Sequence, residues 1–230
     1  MDYGTELYNR LRGNIMKKIY VVGGNGFARE CYNYLIDINK INPEIVFAGF
    51  LGHGGYGHTV DYLNLQKFYK GEVSEHKFSE NDYVVIGAGY PKLRSKIYYD
   101  LKAMGLNFYT LITVNSYINE LVDIGEGNIF NETNITSPHI KIGNANLFND
   151  EIIIGHDVEV GDFNFFGPRS QLLGNVKVGD MNQIGANSIL LPGAKIGSYN
   201  KIAPLSSIYK GCKDNCYMLG NPALKIGAVS

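Results

Sequence analysis

From Ile118 onward an apolar side chain returns every sixth position. The series runs Ile118, Ile124, Phe130, Thr136, Ile142, Phe148, Ile154, Val160, Phe166, Leu172, Val178, Ile184, Leu190, Ile196, Ile202 and Ile208. Fifteen of these sixteen positions are apolar, Thr136 being the exception, and the frame never slips. A period of six fits neither the 3.6 of an α-helix nor the 2.0 of a half-buried strand. It fits a parallel β-helix of hexapeptide repeats, in which each hexad makes one short strand and one turn. Three hexads then close a coil of about 18 residues, with about five coils in all. The recurrent apolar residue points inward. The residue two before it (Val122, Asn128, Asn134, Asn146, Val158, Ser170, Val176, Ser188, Ala194, Ser206) is small, branched or Asn and also fits inside. Glycine often follows the apolar residue, as at Gly125, Gly143, Gly155 and Gly161. There it is expected to relieve a positive φ.

The first half alternates differently. Lys18–Val22 reads as a buried strand, followed by the loop Gly23-Gly24-Asn25-Gly26. Phe27, Cys31, Tyr34, Leu35 and Ile38 then recur at helical spacing. Ile45–Leu51 and Tyr83–Ile86 read as further strands. Pro91 and Gly105 bracket a second helix, and Asn107–Ile112 is a fourth strand leading into the repeat. This alternation predicts a small parallel α/β sheet of Rossmann type over residues 16–112, ahead of a β-helix over 113–230.

A glycine-rich turn between strand and helix offers backbone N–H groups to phosphates. The dinucleotide fingerprint is incomplete, because Arg29 occupies the third glycine position and the second strand ends in Gly52-His53 rather than an acidic residue. The loop therefore reads as a mononucleotide or nucleotide-sugar site, with Gly23, Gly24, Asn25, Gly26 and Phe27 as candidate contacts. His53 and His58 lie in a second glycine-rich loop, expected at the mouth of that site.

Composition narrows the options. Among 230 residues there are 21 Lys plus Arg and 22 Asp plus Glu, a net charge of −1, so no basic surplus points to nucleic acid. No apolar run approaches the ~20 residues of a membrane span. The first residues lack the apolar core of a signal peptide, so a cytoplasmic location is expected. Residues 1–15 stay outside the fold argument. Cys31, Cys212 and Cys216 read as reduced thiols, and no metal set is completed around them.

Four stretches carry a family resemblance: Val22-Gly-Gly-Asn-Gly-Phe-Ala28, Ala48-Gly-Phe-Leu51, Ile154-Gly-His-Asp-Val-Glu-Val-Gly-Asp-Phe163 and Leu219-Gly-Asn-Pro-Ala223. Over residues 17 to about 227 the chain resembles the sialic-acid O-acetyltransferase-like enzymes and the bacterial nucleotide-sugar N-acetyltransferases, such as those of bacillosamine and perosamine synthesis. The resemblance implies a left-handed β-helix, a homotrimer, and acetyl-coenzyme A as co-substrate in a groove between neighbours. It implies His156 as catalytic base and Asp157 as the acid that tunes it. Gly174 is implied as the N–H donor to the acetyl carbonyl, with Ala186 and Ala203 in repeats whose backbone lines the coenzyme groove. Phe165 stands where many relatives carry a second histidine, and Phe27 where they often carry one in the phosphate loop.

The residues make their own case for His156. It is the only histidine at the third position of a hexad in the regular coil, and Gly174 follows 18 residues later, one coil on. Adjacent coils lie about 4.8 Å apart. An imidazole and a bare N–H should therefore share one corner, a base beside an oxyanion donor. Attack of an amine on a thioester needs both. Asp162 and Asp180 read as turn residues, and His139 is expected on another edge. The function expected is N-acetylation of a nucleotide-linked amino sugar by acetyl-coenzyme A, without metal. Alternatives are sugar O-acetylation and a non-catalytic sugar-nucleotide-binding β-helix.

Overall fold

The computed structural model describes residues 16–56 and 64–229; His58 and residues 1–15 lie outside that range. Contacts divide the chain into two compact units. One holds residues up to Gly87 together with Gly105–Asn107. The other holds Ala88–Met104 together with the residues from Phe108 on.

The first unit is built on β1 (Lys17–Val22), α1 (Gly26–Ile41), β2 (Ile45–Gly52), β3 (Tyr69–Glu72), β4 (Asp82–Ile86) and β5 (Asn107–Phe108), in sheet order β3-β2-β1-β4-β5. The central strand β1 runs parallel to β2 and β4, and β2 parallel to β3. Strands buried on both faces read as continuous apolar runs, and Ile19, Val21, Val22, Val84, Val85 and Ile86 are fully buried. Helix α1 buries Ala28, Cys31, Leu35 and Ile38, one stripe at steps of three and four. Strand β3, Tyr-Lys-Gly-Glu, has no apolar pattern of its own and was not expected from the sequence.

In the second unit the predicted coil is present. Its strands form three parallel stacks, one for each face of a prism. The first face contains Ile140–Ile142, Glu159–Val160 and Lys177–Val178. The second contains Ile129–Phe130, Leu147–Phe148, Phe165–Phe166 and Gln183–Ile184. The third contains Ile135–Thr136, Ile153–Ile154, Gln171–Leu172 and Ile189–Leu190. Partners lie 18 residues apart, as in Ile154↔Leu172, until the last coil, where Lys195 pairs with Gly211 and the step shortens to 16. The coil spacing is visible in the stacked rings of Phe130, Phe148 and Phe166, whose centroids lie 4.5 and 4.8 Å apart.

The inner residue two before the apolar position proves polar and structural along one edge. Asn128, Asn146, Asn164, Asn182 and Asn200 form a buried ladder. The Asn164 amide donates to Asn146 Oδ1 at 3.0 Å and to the Gly179 carbonyl at 2.9 Å, while its own oxygen accepts from Asn182 N and Nδ2, each at 2.9 Å. Every lone pair and proton that burial strips of water is thereby used.

Glycine plays a different part from the one expected. The positive φ recurs every sixth residue but falls three positions after the apolar residue, at Thr133, His139, Glu151, Asp157, Phe163, Arg169 and Asn175 among others. Each such non-glycine residue costs roughly 1–2 kcal/mol. The glycines directly after the apolar position lie outside that region. They are required by close approach: a Cβ on Gly125 would lie 2.6 Å from the Gly143 carbonyl oxygen, and one on Gly143 2.8 Å from that of Gly161.

Asn107–Ile112 is two strands rather than one. Asn107–Phe108 completes the first sheet, and Leu111–Ile112 starts the second face of the prism. Helix α2 (Pro91–Ala103) belongs with the coils. Its fully buried Arg94 donates to the carbonyls of Ala145 (2.6 Å), Gly127 (2.8 Å) and Ala88 (3.1 Å). An arginine enters this core because three carbonyls solvate its guanidinium. All three cysteines are free. Burial, with Cys216 beside it, pushes the Cys212 thiol up to about 11, so it stays protonated at neutral pH.

Candidate active site

Each coil has three corners, and the second residue after each strand turns its N–H outward. At the corner after the first face, side chains from the next coil cap these donors. Asn144 N donates to Asp162 Oδ1 (2.6 Å), Asp162 N to Asp180 Oδ1 (2.8 Å), Asp180 N to Ser198 Oγ (2.9 Å) and Ser198 N to Asp214 Oδ1 (2.7 Å). Asp162 and Asp180 are therefore turn residues with a defined task.

The corner after the third face has no such caps. Its column reads Pro138, His156, Gly174 and Pro192, one residue per coil. Gly174 offers no side chain to the His156 N–H, and Pro192 none with an acceptor to the Gly174 N–H. Neither donor has an acceptor among the described residues. Ala186, at the corner after the second face with Pro204 one coil on, likewise keeps its N–H without an acceptor there.

His156 projects from this uncapped corner with its side chain 60% exposed. Its Nδ1 lies 2.7 Å from Asp157 Oδ2. An ionised carboxylate only accepts, so Nδ1 donates and the neutral ring carries its lone pair on Nε2. Asp157 can aim its carboxylate this way because it sits at the left-handed corner position, φ 59°. Nε2 faces Gly174: a Cβ built there would lie 2.6 Å from Nε2 and 2.7 Å from Cε1. The ring occupies the space that the missing side chain leaves. A lone-pair nitrogen and an unpaired N–H thus stand side by side on one exposed corner.

The remaining predicted positions divide. Ala203 is buried, with its N–H donating to the Met218 carbonyl at 2.9 Å and its carbonyl accepting from Ser188 Oγ, so its backbone donor is engaged. His139 is not on another edge. It holds the left-handed position one coil before Asp157, on the same corner as His156, because the positive-φ residue falls one place after the residue that projects from the corner. Phe165, half-buried on the second face, packs in line with Leu147 and Gln183 and is not at the His156 corner.

The glycine loop lies in the first unit. Gly23 and Gly24 are buried, and Gly23 takes φ 132°, where a Cβ would sit 3.0 Å from the Gly87 carbonyl oxygen. Asn25 caps α1, its side chain accepting from Ala28 N at 3.5 Å. Gly26, in the first turn of α1, and Asn25 are exposed and Phe27 half-buried. One residue was missed as a candidate. Arg29 counted only against the dinucleotide pattern, yet its Nη2 lies 3.8 Å from where a Gly26 Cβ would be, bringing a guanidinium to the loop. Its place one turn into the helix was the available signal. His53 pairs with Tyr56 across Gly54-Gly55, whose φ values of 56° and 92° make a tight reversal.

Among the described residues no group of three or more His, Cys, Asp or Glu could hold a metal ion, and no helix is long and apolar enough to cross a membrane.

Comparisons with known proteins bear on this arrangement. Residues 175–210 match the family model described as bacterial transferase hexapeptide (six repeats). No curated protein sequence matches the chain significantly. Several solved structures are similar over nearly the whole chain, three of them as follows. One is the acetyltransferase domain of PglB from Neisseria gonorrhoeae FA1090 in complex with acetyl coenzyme A, at 17% identity and TM-score 0.80, covering 92% of this chain and 100% of that one. Another is a variant of perosamine N-acetyltransferase from Caulobacter crescentus in complex with CoA and GDP-perosamine, at 20% identity and TM-score 0.81, covering 91% and 97%. The third is WeeI from Acinetobacter baumannii AYE, at 22% identity and TM-score 0.79, covering 92% and 100%. What this chain shares with all three is the fold, a unit of parallel sheet joined to a hexapeptide β-helix.

Proposed function

We infer that the protein is an acetyl-coenzyme A-dependent N-acetyltransferase acting on the amino group of a nucleotide-linked sugar. The observation that supports this most is the imidazole of His156, held through Nδ1 by Asp157, with Nε2 against a glycine whose N–H has no acceptor. The shared fold supports it further, since two of the similar structures are named as acetyltransferases, one holding acetyl coenzyme A and the other CoA with GDP-perosamine.

In this reading His156 Nε2 takes a proton from the sugar amine as its nitrogen attacks the thioester carbon. The Gly174 N–H donates to the oxygen that gains charge. The carbon–sulfur bond then breaks, and the imidazolium returns its proton to the departing thiolate. The amide forms without an acyl-enzyme, and holding both substrates together supplies much of the rate. Asp157 fixes the tautomer and stabilises the imidazolium. Ala186 N–H is a donor for the coenzyme's amide-rich arm.

The first unit is read as a Rossmann-like domain. Its loop Gly23–Phe27, with Arg29, takes the phosphates of the sugar nucleotide, and His53 borders the sugar. The chain works in the cytoplasm as a homotrimer. The third face supports that assembly: Tyr117, Ile135 and Ile153 are exposed there, and a shallow groove of about 740 Å³ runs along Ile135, Ile153, Gln171 and Ile189. The first face instead carries Lys141, Glu159, Lys177 and Lys195, a solvated surface.

Thiol release from acetyl-coenzyme A, followed with UDP-, GDP- and dTDP-linked amino sugars and their hydroxy counterparts, tests the reading. One amino sugar should turn over, and His156→Ala should lower kcat by roughly 10²–10⁴-fold with little change in coenzyme affinity. No turnover with any amino sugar, or a variant as fast as the parent, would sink it.

A further inference from the structure

The nucleotide site expected at the glycine loop lacks one part in the sequence. Nucleotide-binding parallel sheets commonly end their second strand in an acidic residue, which accepts hydrogen bonds from the ribose hydroxyls. Here that strand ends in Gly52, with His53 after it. The register shows that Gly52 holds the place. Val22 pairs with Leu51, Gly23 N donates to the Leu51 carbonyl at 3.0 Å, and Gly52 is the next residue along, beside the start of the loop.

The space beside Gly52 is taken by a carboxyl from another strand. β3 runs parallel to β2 and sets Glu72 opposite Gly52, across an irregularity in the register. A Cβ built on Gly52 would overlap Glu72 Oε1 and lie 3.0 Å from Glu72 Cδ. The carboxyl therefore occupies the volume in which a side chain at position 52 would start. Gly52 is outside the positive-φ set, so its backbone does not demand glycine; the approach of Glu72 does. Tyr69, also on β3, donates from its hydroxyl to Glu72 Oε1 at 3.0 Å and fixes the carboxyl there. Burial, then the bond to Glu72, push that phenol above its usual range, so it remains a donor. A four-residue strand without an apolar pattern thus sends two of its side chains to one spot.

Because β1, β2 and β3 are parallel, the glycine loop, Gly52 and Glu72 all stand at carboxyl ends of strands, on one edge of the sheet. Ligands of open parallel sheets bind outside that edge, where the strand order reverses. In the order β3-β2-β1-β4-β5 the reversal falls at β1, which the loop follows. A carboxylate has lone pairs for about four hydrogen bonds, more than the bond from Tyr69 uses. We propose that Glu72 is a nucleotide-recognition residue, accepting hydrogen bonds from the 2′- and 3′-hydroxyls of the substrate's ribose in place of the acidic residue missing from β2. This rests on the nucleotide-sugar reading above and narrows it. The sugar is carried on a ribonucleoside diphosphate, and a 2′-deoxy carrier such as dTDP is disfavoured.

Calorimetric binding of UDP, GDP, dUDP and dGDP to the full chain, without acetyl-coenzyme A, is the test. At least one ribonucleotide should bind about tenfold or more tightly than its 2′-deoxy counterpart, the worth of a hydrogen bond to a charged group. Glu72→Gln keeps the shape and, through its amide oxygen, the bond from Tyr69, but presents N–H groups where the carboxylate accepted. It should weaken the ribonucleotide to within about twofold of the deoxynucleotide, with the melting temperature nearly unchanged. A merely structural Glu72 would instead lower the melting temperature or weaken both nucleotides alike, and either result overturns the proposal. So does equal affinity for the two nucleotides in the parent, which needs no variant, or absence of binding. Thiol release keeps the two readings apart: turnover of an amino-sugar nucleotide without ribose preference removes the role of Glu72 alone, whereas no turnover removes the reaction whatever the binding shows.

Discussion

Replacing Gly174 by alanine tests the geometry of the His156 corner without removing any catalytic group. The glycine lies outside the positive-φ set, so its backbone accepts alanine. The new methyl would lie 2.6 Å from His156 Nε2, 2.7 Å from Cε1 and 3.2 Å from Cδ2. Ordinary contact begins at 3.4 Å, so the ring must withdraw by about 0.8 Å at Nε2. It can, because His156 is largely exposed, and the cost to stability should stay below about 1 kcal/mol. Withdrawal strains the 2.7 Å bond to Asp157 and carries the lone pair away from the Gly174 N–H. A misplacement near 1 Å costs on the order of 10²-fold in rate. We expect kcat for thiol release to fall by about that factor, with coenzyme affinity and the melting temperature nearly unchanged. Gly155→Ala is the contrast. Its methyl would strike the Gly174 nitrogen at 2.8 Å and the Leu173 carbonyl carbon at 3.0 Å, and backbone cannot swing aside, so that variant should lose about 1–3 kcal/mol of stability. If Gly174→Ala turns over within roughly threefold of the parent, the imidazole is not held where the reaction needs it and the assignment fails.

Other outcomes follow from the same contacts. Pro192→Asp would place a carboxylate where Asp180 stands relative to Asp162, capping the Gly174 N–H; stability should hold while kcat falls roughly 10²–10³-fold, the worth of one oxyanion donor. Asn164→Ala leaves the Gly179 carbonyl and both Asn182 donors unmet inside the prism, and should cost about 3 kcal/mol or more in denaturant unfolding. Glu126 is pushed up by burial, but hydrogen bonds from Lys102 and Tyr98 outweigh this and hold its carboxyl below the usual 4.5; the stability it contributes is present above that value and lost as pH falls below it, so acid melts of Glu126→Gln should be flatter there. Ile153→Arg, on the exposed third face, should shift the sedimenting species to smaller mass; a parent chain that sediments as a monomer would remove the trimer.

The sequence carried the prism almost whole because one rule, an apolar residue every sixth position, holds one frame from Ile118 to Ile208 with Thr136 as its single exception. Stacking at a fixed 18-residue step turns that rule into register, which alone sets His156 and Gly174 one coil apart on one corner. The roles of the glycines were not legible. A glycine needed for a left-handed turn and one needed for close approach look identical in sequence, and here turn residues such as Asp157, Phe163 and Arg169 take the strain instead. His139 was misplaced for another reason: it stands 17 rather than 18 residues before His156, yet it is the positive-φ residue three after Thr136 and turns the same corner. Strand β3 and the short last coil escaped for a different reason. Both depend on pairing with a neighbour already in place rather than on local pattern. Arg94 was invisible as a pin because the carbonyls that solvate it come from residues 33 and 51 positions away.

The location of the candidate site follows from which corners the repeat leaves bare. A parallel coil satisfies its strand amides against the next coil, but the outward N–H at each corner has no backbone partner and must find a side chain. Where the next coil offers Asp, Ser or Asn, as along Asn144, Asp162, Asp180 and Ser198, the donor is consumed and the corner is chemically silent. Where it offers glycine or proline, the donor is left over, and such donors are stable only because they face water. Two of the three corners end in that state near the middle of the prism, at Gly174 and Ala186, and both flank the apolar third face. A ligand rich in carbonyls that lies along that face satisfies both donors without moving the backbone, since the coils have already fixed them in direction. Glycine or proline there bares a donor without interrupting the strand pairing on either side, so the stacks stay regular around one irregular column.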